Sequence, residues 1–230
     1  MLLVLSSILD QQAAPGVAHW RAKGGTAEVI TCHDLAQPGW KLDVDDDEVT
    51  LVIQGKPTPA KEIKGIVTRI ANVTTIELPF IHVDDREYAA SEFQAFLLAV
   101  LTTMKCPVLN KPSPGCLNGP AWAPELWTRC AVKAGVPVRP VHRRAYAGGH
   151  AIADEPARDR KVLHVVGDDA FGEGPAALKK AAVAIAKAAG TDLLRVAFDV
   201  RAKPAVFLDA DPWVDMSDKA IAEAIRKRLS

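Results

Sequence analysis

Apolar residues along this chain fall into short continuous runs separated by stretches with helical spacing. Residues 1–9 form an apolar run typical of a buried strand, and a helical stretch through residues 17–20 leads to a second strand at 27–31. This order predicts parallel strands joined by a right-handed crossover. Strands at 49–53 and 65–70, a helix at 86–105 and a strand at 106–110 follow. The pattern in the first half of the chain therefore predicts an α/β domain, which we place at residues 1–111.

The second half has a different pattern. Residues 112–140 are rich in Pro, Gly and Trp around a helix that stops at Gly135. A strand at 162–167, a helix ending at Gly190 and a hairpin from 193 to 211 come next, and Ser217 and Asp218 cap a last helix. We expect these elements to form a second, smaller α+β domain at residues 112–230.

Three carboxylates at the predicted hairpin are candidate metal ligands. Asp209 and Asp211 follow an apolar run and share one face of a strand, because side chains alternate along it. Asp199 ends the preceding strand, and the turn of the hairpin would bring it close to this pair. Three such oxygen donors would suit Mg²⁺. The alternative is a strand end that meets solvent, where aspartates are common.

Other charged residues are less distinctive. Arg69 interrupts an apolar strand at its carboxyl end, where ligands gather in open α/β sheets; alternatively, it is an edge-strand arginine that pairs with a local carboxylate. Asn110 and Lys111 end the next strand and are candidate ligand contacts. Residues 139–161 are basic and either contact an anionic ligand or form a solvated loop. The first strand is not followed by G-x-G-x-x-G, so a dinucleotide at that turn is not expected.

Composition narrows the function classes. Lys and Arg total 28, as do Asp and Glu, so no net field favours nucleic acid or an anionic membrane. No apolar run approaches the ~20 residues of a membrane span. The four cysteines show no C-x-x-C pair and no metal-ligand spacing with histidine, which favours reduced thiols in a cytoplasmic protein.

The order of elements resembles the ATP-grasp ligases, in particular those that ligate peptides or amino acids. The resemblance is carried by VLNKP at 108–112, GVPV at 135–138 and VVGDDAF at 165–171. It continues in DVR at 199–201 and FLDADP at 207–212. It implies a Rossmann-like pre-ATP-grasp sheet domain followed by a reduced ATP-grasp domain, with Mg²⁺ and ATP as cofactors.

The resemblance also assigns roles to residues. It implies metal binding by Asp199, Asp209 and Asp211, and catalytic roles for Arg69 and Arg201. The cofactor-binding residues expected on this basis are Asn110, Lys111, Arg143, Arg144 and Lys161.

One part of the family pattern is missing. Between residues 138 and 162 the family has most of a lid subdomain with phosphate-binding lysines, whereas this chain has a short basic segment. Two hypotheses follow. The protein is a minimal ligase in which Arg139, Arg143, Arg144 or Lys161 replace the lost cations, completed by a partner enzyme or a second copy. Alternatively, it is a non-catalytic descendant that binds a small molecule, a peptide or a partner protein.

Overall fold

The computed structural model describes residues 1–43, 48–139 and 159–229. Its strands are β1 (Leu2–Ser6), β2 (Ala27–Ile30), β3 (Lys41–Asp43), β4 (Glu48–Ile53), β5 (Lys56–Pro59), β6 (Gly65–Arg69), β7 (Val108–Leu109), β8 (Arg160–Val166), β9 (Asp169–Phe171), β10 (Leu193–Asp199) and β11 (Val206–Asp211). Its helices are α1 (Ala13–Ala22), α2 (Cys32–Leu35), α3 (Arg86–Thr103), α4 (Pro124–Lys133), α5 (Ala176–Ala189) and α6 (Lys219–Arg228).

The strands form three sheets. The N-terminal sheet has the order β2-β1-β6-β7, and all its pairs are parallel, which confirms the βαβ prediction. The C-terminal sheet has the order β11-β10-β8-β9 and is antiparallel. A small antiparallel sheet, β3-β4-β5, lies between β2 and β6 in sequence. The mixed α/β class expected from the sequence is therefore confirmed.

Strand β1 shows why the N-terminal sheet is covered on both faces. All five of its residues are buried, and alternate side chains enter different cores. Leu3 and Leu5 pack with α3 and β4, whereas Leu2 and Val4 pack with α1 and α6. Parallel sheets usually have both faces covered, which explains why this strand is a continuous apolar run.

The two larger sheets share a core. Helix α6 follows the C-terminal sheet in sequence but packs against α1, and Ile221 and Ile225 join the core beneath β1. A separate core behind the C-terminal sheet contains Phe198 and Phe207 with side chains of α4 and α5. The chain after residue 111 therefore returns to the N-terminal sheet, and a boundary at 111/112 stays a prediction.

Helix ends follow local chemistry. Asp218 caps α6 by accepting hydrogen bonds from the backbone N–H groups of Ala220 and Ile221. Gly190 ends α5 with φ 67°, a conformation that glycine adopts without strain. Asp85 stands at the start of α3 but makes no side-chain cap hydrogen bond.

None of the helices in the described ranges is long and apolar enough to cross a membrane.

Candidate functional site

A cavity of about 540 Å³ lies between the end of β6 and the end of β11. Its volume is within the range of small-molecule pockets. Indole rings and prolines line it together with a few polar groups. Its lining includes Asn118, Ala121, Trp122, Trp127, Arg195, Asp209, Asp211 and Trp213.

The β10–β11 hairpin positions the carboxylates at this cavity. Asp211 lies opposite Arg195, and Asp209 lies opposite Ala197. Because the two aspartates are two residues apart on one strand, their side chains share a face. A shift in register next to Ala197 separates this part of the hairpin from the turn, where Asp199 pairs with Val206. The hairpin therefore brings Asp209 and Asp211 together and leaves Asp199 nearer its other end.

Arg195 binds both cavity carboxylates. Its Nε donates to Asp211 Oδ2 at 2.6 Å, and its Nη2 donates to the same oxygen and to Asp209 Oδ1, the latter at 3.0 Å. Its side chain is 25% exposed. Burial by itself would lower the pKa of Arg195, but Asp211 and then Asp209 outweigh that effect and raise the pKa. Arg195 is therefore a permanent cation at this site.

The remaining oxygens of the pair also have donors. Arg160 Nη2 donates to Asp209 Oδ1 at 3.0 Å and lies 2.9 Å from Oδ2. The backbone N–H of Trp213 donates to Asp211 Oδ1 at 2.9 Å. Each of the four oxygens of Asp209 and Asp211 is therefore in contact with an arginine or a backbone N–H.

Asp199 has its own set of cations. Its side chain is 3% exposed. Arg139 donates to Oδ2, and the backbone N–H of Arg201 donates to Oδ1 at 3.0 Å. The Arg201 guanidinium lies 3.6 Å from the same oxygen. These contacts, the Arg201 N–H first, lower the pKa of Asp199 although burial opposes them.

The donor set can be tested for Mg²⁺, which needs carboxylate oxygens with free lone pairs. All six oxygens of Asp199, Asp209 and Asp211 already contact an arginine or a backbone N–H. Within the described ranges, no group of three or more Asp, Glu, His or Cys side chains is arranged to hold a metal ion. Held in this way, the three carboxylates do not form one metal-binding group among the described residues, and the role of Asp199, Asp209 and Asp211 as metal ligands stays a prediction.

Arg69 lies at the carboxyl end of β6, as expected, but its donors are used within the protein. Nε and Nη2 bind both oxygens of Asp10, at 2.5 and 3.2 Å, and Nη2 also donates to Gln12 Oε1 at 2.8 Å. Nη1 donates to the carbonyl of Val214 at 2.8 Å, and the guanidinium lies 4.7 Å from the ring centroid of Trp213. Arg69 therefore ties the N-terminal sheet to the segment after β11. It lies on an internal strand and pairs with a carboxylate that is distant in sequence, so the structure differs from the expected edge-strand arginine with a local partner.

Asn110 is also satisfied internally. Its Nδ2 donates to the carbonyls of Asn118 and Leu193, and its Oδ1 accepts from the backbone N–H groups of Asp192 and Leu193. The side chain is buried. It connects the end of β7 to the start of β10, so its hydrogen-bonding groups face the protein rather than the cavity.

The other expected cofactor contacts are dispersed. Lys111 lines a different pocket, next to Leu101 and Met104. Lys161 lies on β8 and pairs with Glu173 at 3.3 Å. Arg143 and Arg144 lie outside the described residues. The cofactor role of these four side chains stays a prediction.

The sequence reasoning missed Arg195 and Asp10, and it included Arg160 only as a member of the basic segment at 139–161. Arg195 interrupts the apolar run of β10, and a lone charge in such a strand indicates a partner on a neighbouring strand. Its position opposite Asp211 is set by the register of the hairpin, which contains a shift that the sequence does not signal.

Comparison with solved structures supports the fold. The chain is similar to macrocyclase MdnC from Microcystis aeruginosa MRC, solved with precursor peptide MdnA, with 13% identity, coverage of 100% of this chain and 99% of that one, and a TM-score of 0.69. It is similar to a RiPP-associated ATP-grasp ligase from Chryseobacterium gregarium, solved with ADP and a leader and core peptide, with 11% identity, coverage of 99% and 96%, and a TM-score of 0.71.

A third similar structure is ATP-grasp ligase PsnB, solved with a minimal precursor, Mg and ADP, with 15% identity, coverage of 99% and 98%, and a TM-score of 0.66. No protein-family model and no curated protein sequence matches the chain. The structural likeness extends over nearly the whole chain at low identity, and it confirms the sequence-based recognition at the level of the fold. The chain has the ATP-grasp fold.

Proposed function

We propose that this protein binds a peptide in the cavity between its two larger sheets and takes part in ATP-grasp-type carboxylate–amine ligation of that peptide. The cavity carries the proposal, because it combines aromatic surface with polar groups that can fix a backbone. The ring centroids of Trp122 and Trp127 lie 4.8 Å apart in a tilted arrangement, and Trp213 also lines the cavity. Two similar structures, MdnC and the Chryseobacterium ligase, were solved with peptides, which supports a peptide as the occupant.

We assign the ATP chemistry to a partner protein or a second copy of the chain. The support is the state of the carboxylates, whose oxygens are engaged by protein donors. A ligase stabilises charge on a transferring phosphoryl group with cations and metal ions, and it excludes water from the acyl phosphate. If no partner supplies these functions, the protein binds the peptide without catalysing its ligation and is a non-catalytic descendant of the fold.

Peptide binding can be tested with two tryptophan substitutions in one loop. Ala121 is exposed and lines the cavity, whereas Ala123 is exposed, is the N-cap residue of α4 and does not line the cavity. A phage-displayed random peptide library is selected on the wild-type protein, and the enriched peptides are synthesised. Ala121→Trp should weaken their binding by at least about tenfold, because it removes roughly the volume that a side chain of the peptide would fill.

Ala123→Trp is the matched control and should leave the affinity within about twofold of wild type. Equal binding by the Ala121→Trp, Ala123→Trp and wild-type proteins would place the peptide elsewhere and overturn the proposal. So would a selection that enriches no peptide.

A self-contained ATP-dependent ligase is the second candidate. The observation in its favour is that Asp209 and Asp211 line the same cavity as the proposed peptide site. This candidate predicts that millimolar Mg²⁺-ATP raises the melting temperature of the isolated protein, and that Asp209→Asn with Asp211→Asn abolishes the rise. If nucleotide binding appears only with a co-purified partner, the composite version holds and the self-contained version is wrong.

A further inference from the structure

A single nitrogen of Arg195 contacts carboxylate oxygens from two residues. Nη2 donates to Asp209 Oδ1 and to Asp211 Oδ2, and no other donor in the described ranges bridges this pair. The two oxygens therefore converge on one point in space. A bridging position between two carboxylates on one face of a strand is where a divalent cation would bind, since Mg²⁺ is commonly held by one or two carboxylates plus water or phosphate.

The surroundings are unfavourable to any additional cation. Arg160 contacts the other side of Asp209, and Arg139 and Arg201 surround Asp199 at the turn end of the hairpin. Among the described residues this face of the C-terminal sheet thus carries four arginines for three aspartates. A second positive charge within a few ångströms of Arg195 would be strongly repelled in a partly buried site.

We propose that Arg195 stands in the place of a divalent cation, so that Asp209 and Asp211 are neutralised by an internal guanidinium and the cavity binds its ligand without a metal ion. This inference does not depend on whether the occupant is a peptide. It has a consequence for variants. When Arg195 is replaced by a neutral side chain, the two carboxylates keep their position on β11 and become available to a metal ion.

The experiment titrates Mn²⁺, a hard cation suited to oxygen ligands, into the full-length protein and follows free Mn²⁺ by electron paramagnetic resonance. The wild type should leave the free-ion signal unchanged up to millimolar Mn²⁺. Arg195→Met should bind one Mn²⁺ per chain, with affinity raised on the order of a hundredfold over wild type, because a full positive charge beside the metal position is removed. Adding Asp211→Asn to Arg195→Met should remove this binding.

Arg228→Met is the matched control. It also removes an arginine with two hydrogen bonds to a carboxylate, but its partner Asp192 stands outside the cavity and is not part of a pair on one strand face. This variant should bind Mn²⁺ no better than wild type. Arg195→Lys keeps a cation and should behave like wild type.

Two results would overturn the proposal. The first is Mn²⁺ binding by the wild type that disappears in Asp209→Asn with Asp211→Asn, since that would show the carboxylates to be a working metal site beside Arg195. The second is a folded Arg195→Met protein, checked by cooperative thermal unfolding, that fails to gain Mn²⁺. Because the first result needs no Arg195 variant, the proposal stays testable even if Arg195→Met does not fold. The peptide selection is a separate measurement, so failure of one does not mean failure of the other.

Discussion

The ion pair between Arg69 and Asp10 gives the sharpest prediction about stability. The two side chains are 3% and 2% exposed, and the guanidinium binds both carboxylate oxygens. Burial by itself would raise the pKa of Asp10, but Arg69 outweighs it and keeps the pKa below the ordinary value. Arg69→Met would leave this carboxylate charged, buried and without its cation.

The magnitude follows from what the substitution removes. Breaking a buried ion pair by removing one partner costs about 3–5 kcal/mol. The carbonyl of Val214 and Oε1 of Gln12 lose donors as well, and the contact with the Trp213 ring is lost. For a protein of this size each kcal/mol lowers the melting temperature by about 2–4 °C, so we expect a decrease of roughly 6–20 °C.

Urea unfolding followed by circular dichroism measures the free energy of unfolding directly. Arg228→Met is the control, because it removes a two-bond pair that is half exposed, and such surface pairs contribute about 0–1 kcal/mol. The double variant Asp10→Asn with Arg69→Met should be more stable than the sum of the two single effects predicts, because no charge is left unpaired. A loss below about 1 kcal/mol for Arg69→Met, equal to the control, would refute the structural role given to Arg69.

Three further predictions concern other parts of the fold. Burial lowers the pKa of His164, although Asp215 opposes this effect. The unfolded chain therefore binds a proton on this residue at a higher pH than the native protein does, and the free energy of unfolding should fall as pH decreases below about 6.5. His164→Gln should flatten this pH dependence in urea unfolding between pH 5 and 7, and an unchanged slope would contradict the prediction. A Cβ on Gly16 would lie 2.9 Å from the carbonyl oxygen of Met216. Gly16→Ala should therefore lower the melting temperature, although alanine is favoured over glycine in a helix by about 1 kcal/mol. Gly115→Ala is the control and should not lower the melting temperature, because a Cβ there meets no other atom within 4 Å. Burial raises the pKa of all four cysteine thiols, and it raises that of Cys32 to about 12; the other three are Cys106, Cys116 and Cys130. Since the thiolate is the reactive form, the native protein should react slowly with Ellman's reagent at pH 8, whereas all four thiols should react at once in denaturant.

The sequence was sufficient for the parallel βαβ opening and for the C-terminal hairpin, because hydrophobic period and turn residues are local signals. The apolar run that contains β1 fills cores on both faces of a parallel sheet, and this is visible in the chain alone. The hairpin at 193–211 follows from two strands and a short turn. The resemblance to ATP-grasp ligases added the order of the two sheets, which local patterns do not contain.

The functional site was harder to predict from the sequence, because it depends on which charged side chains pair across neighbouring strands. Alternation placed Asp209 and Asp211 on one face, but their partner was set by the register of β10, which puts Arg195 opposite Asp211. The distance between Asp199 and the pair depends on a register shift that no residue type signals. Asp10, far from Arg69 in sequence, becomes its partner only through the parallel pairing of β1 with β6.

Calorimetric titration of the isolated protein with a non-hydrolysable ATP analogue and Mg²⁺ shows whether the β10–β11 carboxylates are free to bind a metal ion. We expect no binding heat from Mg²⁺ alone and no dependence of analogue binding on Mg²⁺, because Arg195 holds Asp209 and Asp211. Mg²⁺-dependent binding of one analogue per chain, abolished by Asp209→Asn with Asp211→Asn, would instead show that the two carboxylates belong to a self-contained ligase site.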